Sequence, residues 1–382
     1  MKAYRILKGF LNSDKAGGLI LVGVTVLSLL LANSSFKEGY VQLWNYKVGG
    51  DSIVHWINDG LMAIFFLLIG LELKREMIDG KLSCIKTASF PVMGALGGMA
   101  VPALFFTLFN YGTQAQDGVG IPMATDIAFA VGILSILGSR VPLSLKLFLT
   151  ALAVVDDLGA IMVIALFYSK SLDIQSLLAA FSILGILLVF NRLKVKSLIP
   201  YLIGGAGLWY FMLHSGIHAT ISGIMLAAVI PYGSNNAHSP TKILEHALHK
   251  PVMLFILPLF AISNTSIALG SDWISGFGQT YCLGIMSGLI FGKPLGIFLF
   301  TLIGTKLGLC NIPEDLRWRN IVGVGFLGGI GFTMSIFITI LAYDNPLVVN
   351  NAKIAILSSS LIAATIGIIL LNASLKKKTP VK

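Results

Sequence analysis

ALAVVDDLGAIMVIALF, residues 151–167, carries two adjacent aspartates, Asp156 and Asp157, in an otherwise apolar run. The run is long enough to matter, because a helix that crosses a bilayer needs about 20 apolar residues. The surrounding sequence is of the same kind. Of 382 residues, 56% are hydrophobic and 12% charged, against about 25% charged in a soluble domain. Mean hydropathy is +0.87. This is the composition of an all-α polytopic membrane protein.

Twelve transmembrane helices are expected, near 17–33, 57–73, 88–109, 121–138, 143–168, 173–190, 198–212, 215–230, 248–269, 277–303, 320–342 and 351–375. Residues 198–230 read as one bent span or two short ones, broken near His214-Ser215-Gly216. Loop charges test the count. With alternating spans and both termini inside, 22 of the 27 basic residues fall inside and four outside: Lys37, Lys47, Lys170 and Lys353. That is the positive-inside pattern of a multi-pass membrane protein with cytoplasmic termini. It also accounts for the net charge of +10 without nucleic acid as a partner. The first apolar run is read as a retained span rather than a cleaved signal. Cys84, Cys282 and Cys310 are too few and too scattered for a disulfide framework or a metal site. In the longest outer loop, YVQLWNYKVGGD (40–51) reads equally as a short hairpin or as irregular chain.

One basic residue, Lys293, is left inside a span, in LIFGKPLGIFLF. Among the acids, Asp126, Asp156 and Asp157 are also intramembrane. Each charge costs about 2.5–3.5 kcal/mol at the bilayer centre, so the four imply roughly 10 kcal/mol before pairing. An ion pair that fixes helix positions explains Lys293 and one carboxylate. It leaves two carboxylates unexplained. Neighbours on a helix point about 100° apart, so Asp156 and Asp157 divide their labour: one faces a cavity, the other a helix that carries Lys293.

Two spans are interrupted. Span four, GIPMATDIAFAVGIL, has Pro122, then Thr125-Asp126, then Gly132. Span eleven, GVGFLGGIGFTMSIFI, places five glycines in nine residues, ending in Gly328, Gly329 and Gly331. Close helix packing explains some of them, but broken spans at matching places in two halves mark a transporter site. The halves are approximately 88–168 and 277–375, three spans each, which makes the second an inverted copy within a single integral membrane domain, 1–382. Unwound backbone exposes carbonyls that bind cations. Asp126 beside the break either offsets facing helix N-termini or binds the ion. Sodium prefers hard oxygen ligands, and burial near a second carboxylate favours the protonated acid. A carboxylate cluster therefore holds Na+ or H+, not both, and that competition is the basis of exchange.

ATDIAFAVGIL, ALAVVDDLGAI, FGKPLGIF and GGIGFTMSIFI closely resemble the NhaA family of bacterial sodium/proton antiporters. NDGLMAIFFLLIGLELKRE, SGIHATISG and LPLFAISNTSI extend the likeness over nearly the whole chain. The resemblance implies crossed discontinuous helices at spans four and eleven. It also implies electrogenic exchange of cytoplasmic Na+ or Li+ for external H+, in pH and sodium homeostasis, without a cofactor and without enzymatic chemistry. It implies Asp157 as main ion ligand and proton carrier, and Asp156 as co-ligand or partner of Lys293. Asp126 with Thr125 would sit where the broken helices cross. It implies a pH response at Glu72, Arg75, Glu76, His218, Glu245, His246 and His249, although histidines in loops are usually only solvated. It implies a homodimer through residues 40–50.

Rival classes fit less well. An intramembrane aspartyl protease needs two membrane aspartates but gives Lys293 no role, and a Gly-x-Gly-Asp pattern is absent. Ser215, Gly216 and His218 lack the rest of a serine protease site. A channel needs weak, multi-site binding along a pore. A sodium-coupled symporter shares the sodium ligands and adds a solute pocket.

Overall fold

The computed structural model describes residues 14–167, 172–233, 239–270 and 273–375. The basic residues of the two ends, Lys2, Arg5, Lys8 and Lys376 to Lys378 among them, fall outside the described residues, as does Lys170. The fold is helical, as composition requires, with one small hairpin. In chain order the helices are α1 (Asp14–Ala32) and α2 (Lys37–Asn45), then α3 (Ile53–Ile78) and α4 (Ile85–Asn110). A tight turn of helix (Gln116–Met123) leads to α5 (Ile127–Ile136). Then come α6 (Leu143–Phe167), α7 (Ile174–Arg192), α8 (Ile199–His214) and α9 (Ile221–Val229). The last are α10 (Pro240–Asn264), α11 (Thr280–Lys306), α12 (Trp318–Gly328), α13 (Phe332–Ala342) and α14 (Pro346–Ser374).

Among the described residues, eight helices are long and apolar enough to cross a membrane, and up to ten if each bent pair is one span. The bent pairs are α1–α2, turned by 116°, and α12–α13, turned by 46°. The twelve expected spans each coincide with a helix or a broken pair. Only α8 and α9 are too short to qualify, so twelve remains a count of segments rather than of full-length spans. Residues 198–230 resolve into those two helices, parted at Ser215–Thr220, where Gly216 has φ +83°. The outer loop does form a hairpin: β1 (Lys47–Val48) pairs antiparallel with β2 (Asp51–Ser52). Its turn, Gly49-Gly50, has φ of +66° and +108°, a conformation only glycine takes cheaply.

Some helix starts are capped by short polar side chains. Asp173 accepts from the backbone N–H groups of Gln175 and Ser176 at the start of α7, and Asn345 from Leu347 ahead of Pro346 at the start of α14. Each satisfies donors that a helix N-terminus leaves orphaned.

The chain forms two compact units. Unit 1 comprises residues 1–26, 84–160 and 267–382; unit 2 comprises 27–83 and 161–266. In unit 1, α4 crosses α11 at a pair of glycines. A Cβ on Gly97 would fall on the Gly296 carbonyl, and one on Gly296 on the Gly97 carbonyl. Further along, a Cβ on Gly292 would stand 2.8 Å from Pro102 Cα. Small residues that let backbones touch are the usual means of helix association in lipid. Here they hold the helix that carries Lys293. In unit 2, α3 packs on α9 in the same manner, with Gly223 against the Ala63 carbonyl and Gly70 against Ala227.

Candidate ion-exchange site

The site lies within unit 1, at the two interruptions. Between the tight turn and α5 the chain is extended over Ala124-Thr125-Asp126. Between α12 and α13 it is non-helical at Gly329-Ile330-Gly331. The breaks touch. The Asp126 backbone N–H donates to the Ile330 carbonyl at 2.7 Å, and the Thr125 hydroxyl lies 2.9 Å from the Gly328 carbonyl. The glycines are there for space rather than dihedral freedom, since Gly329 and Gly331 have ordinary φ values of −72° and −85°. A Cβ on Gly329 would strike the Leu289 carbonyl; one on Gly331 would strike Ser335 Oγ; one on Gly328 would press on Ile297 Cδ1 at 3.1 Å.

Asp126, 2% exposed, caps two helices at once. Oδ1 accepts from the Phe129 N–H at 2.9 Å, at the start of α5. Oδ2 accepts from the N–H of Thr333 at 3.2 Å and from its hydroxyl at 2.5 Å, at the start of α13. Two helix N-termini face each other, and one carboxylate answers both partial positive charges. Of the two roles expected for Asp126, this geometry supplies the first.

Asp156 and Lys293 are both fully buried and form an ion pair through Asp156 Oδ2 and Lys293 Nζ. Nζ also donates to Thr125 Oγ1 at 2.7 Å. Thr125 Oγ1 in turn lies 3.0 Å from Asp156 Oδ2. A hydroxyl has one proton to give, so Thr125 donates either to Asp156 or to the Gly328 carbonyl while accepting from Lys293. Asp156 Oδ1 is buried and accepts no hydrogen bond from the described residues. A buried carboxylate oxygen in that position is costly unless a proton or cation meets it. Asp157, one residue on, is 1% exposed. The expected division of labour thus has its lysine side assigned: Lys293 meets Asp156.

The residues expected to respond to pH lie in unit 2. Arg75 on α3 bridges Glu245 on α10 at 3.1 Å and Glu76 at 3.0 Å. Glu72 sits on α3 one turn before Glu76. His246 and His249 are exposed on α10, and His218 is half-buried in the turn between α8 and α9. Sequence reasoning missed two neighbours of this cluster. Lys74 donates to the carbonyls of Ala228 at 2.7 Å and Ile230 at 2.6 Å, closing the C-terminus of α9, where a cation is favoured. Asp79 accepts from the Tyr232 hydroxyl at 2.6 Å and from Lys242 Nζ at 2.9 Å. The Tyr232 hydrogen bond first, then that from Lys242, holds the Asp79 carboxyl below the ordinary carboxylate range. Loop composition carries no sign of either contact, because both partners lie more than 150 residues away.

Among the described residues, no group of three or more His, Cys, Asp or Glu side chains is arranged to hold a metal ion. The site is a carboxylate pair with a lysine.

The family described as Na+/H+ antiporter 1 matches residues 8–371. The Na(+)/H(+) antiporter NhaA of Flavobacterium psychrophilum is 57% identical over 376 residues, 98% of each chain. That of Cytophaga hutchinsonii is 56% identical over 377 residues, 99% of this chain and 97% of its own. Among solved structures, the sodium proton antiporter MjNhaP1 of Methanocaldococcus jannaschii matches 93% of this chain and 92% of its own with a TM-score of 0.50. At 15% identity that is a likeness of fold alone.

Proposed function

Because this chain belongs to the Na+/H+ antiporter 1 family, we propose that it exchanges Na+ for H+ across a membrane at the Asp156–Asp157 pair. Asp157 is the main ion ligand and a proton carrier. Asp156 holds Lys293 when no ion is present and turns toward the ion when one is. The observation that carries this reading is the Lys293–Asp156 pair buried beside two broken helices, with Asp156 Oδ1 left for a further partner. A sodium ion arriving at the carboxylates displaces a proton, and competition for the same oxygens couples the two fluxes.

The finer reading follows the resemblance. Exchange is electrogenic, runs from cytoplasmic Na+ or Li+ to external H+, and serves pH and sodium homeostasis. It needs no cofactor, and the reaction is transport rather than catalysis. The site is in the bacterial inner membrane, with both termini cytoplasmic. Residues 88–168 and 277–375 act as inverted copies, which places the two breaks face to face. The Glu72, Arg75, Glu76, His218, Glu245, His246 and His249 group sets the pH response. The hairpin at 40–50 joins two copies as a homodimer.

The test is made in everted vesicles with a respiration-driven acid interior and an acid-sensitive dye. Na+ and Li+ should collapse the gradient with the wild-type protein, and neither should do so with Asp157→Asn, which remains folded. Normal sodium-driven exchange in that variant overturns the site. No response from the folded wild type overturns exchange, and a co-transported solute is then sought.

A further inference from the structure

Three helices of unit 1 converge on the ion pair, and each continues toward an end that carries a basic residue: Lys86 on α4, Lys146 on α6 and Lys306 on α11. By the distribution of loop charge that is the cytoplasmic side. One turn from the site in that direction, about 6 Å at the rise of a helix, stand Gly94, Leu152 and Ile297. Two turns away, about 12 Å, stand Phe90, Phe148 and Thr301. Leu152, Ile297 and Thr301 have no exposed surface, and Phe90 and Phe148 are each 3% exposed.

The layers are closed by contact, not only by position. A Cβ on Gly98 would be 3.0 Å from Ile297 and 3.7 Å from Asp156 Oδ1. Ile297 therefore lies directly against the site. A Cβ on Gly94 would meet Leu152 at 3.1 Å, Phe148 at 3.3 Å and the Thr301 methyl at 3.4 Å. The rings of Phe90 and Phe148 lie 5.0 Å apart. Thr301 is the only one of these side chains with a polar atom. Its hydroxyl donates back to the Ile297 carbonyl of its own helix at 2.6 Å and presents its methyl to the layer. These side chains thus offer no hydrogen-bond chain for a proton, and their one hydroxyl oxygen is engaged on its own helix.

We propose that Leu152 and Ile297, backed by Phe90 and Phe148, form a seal that prevents protons and sodium from reaching Asp156 through the cytoplasmic half of unit 1. The proposal rests on the exchange site assigned above. An exchanger must not let either ion cross uncoupled, and an apolar constriction excludes water and ions by dewetting. Leu152 and Ile297 act through the water they exclude, and so are positioning residues for the exchange.

The measurement is the decay of an acid-interior gradient in proteoliposomes without Na+, followed by addition of Na+. Leu152→Ala and Ile297→Ala should leak protons severalfold faster than wild type. Leu152→Met, which restores the volume, should hold the gradient, and so should Thr301→Val, with Na+-driven exchange intact. Should Leu152→Ala fail to fold, Ile297→Val is read in the same way. Folded alanine variants that hold the gradient as long as wild type overturn the seal. Slowed exchange in Thr301→Val makes its hydroxyl a proton relay and overturns it too. A wild type that ignores Na+ while the alanine variants leak removes the exchange site and leaves the seal standing.

Discussion

At the scale of single residues, the chemistry rests on what a buried charge costs. Lys293 and Asp156 each lose their water, and each is tolerable only beside the other. Lys293→Ala removes one partner and strands the other at a cost of about 3–5 kcal/mol. The expected outcome is a clear drop in melting temperature in detergent, and an unchanged melt would mean that the pair contributes nothing. These residues were legible from sequence because a charge inside an apolar run is conspicuous by itself. Thr125 was legible only as a neighbour of Asp126. Its actual position, accepting from Lys293 and within reach of both Asp156 and Gly328, depends on chain 31, 168 and 203 residues away. Which aspartate Lys293 meets is likewise not legible, because a 100° step between adjacent side chains does not say which way the helix is turned.

At the scale of elements, the breaks matter more than the helices. Asp126 caps α5 and α13 together. A lost N-cap costs about 1 kcal/mol, so Asp126→Ala should cost about 2 kcal/mol for the two helices. Asp126→Asn, which keeps an acceptor oxygen, should cost less. Thermal melts of the two variants compare them, and equal losses would remove the double cap. The places of the apolar helices are legible because apolar length and loop charge are both linear in sequence. The 116° bend after α1 and the wide turns at Trp56–Leu61, Val252–Ile256 and Gly288–Gly292 are not. In α11 that turn lies against Pro102 and directly precedes Lys293-Pro294, where proline lacks the N–H that a regular helix would donate.

At the scale of the whole molecule, the chain sorts into two units that are not continuous in sequence, and α1 and α6 each contribute to both. No linker or change of composition marks that division in the sequence. The same scale governs response to acid. Asp79 joins the chain after α3 to Tyr232 and α10, and its carboxyl sits below the ordinary range. A lowered folded value means that its contribution is present above the unfolded value, about 3.9, and is lost as pH falls through the folded one. Asp79→Asn should therefore melt below wild type at neutral pH. The gap should close as the pH drops past that range, and a gap independent of pH would mean that the carboxylate charge plays no part.

The crossing of Gly97 and Gly296 has a mechanical meaning. Two backbones that touch with no side chain between them fix a distance, and the second contact, at Gly292 and Pro102 about one turn on, fixes the angle as well. The two helices therefore behave as a single strut riveted at two points. Lys293 lies between the rivets, so its ammonium is displaced only when both helices travel together. A side chain at Gly97 or Gly296 would prise one rivet open and leave Lys293 on a strut held at one end.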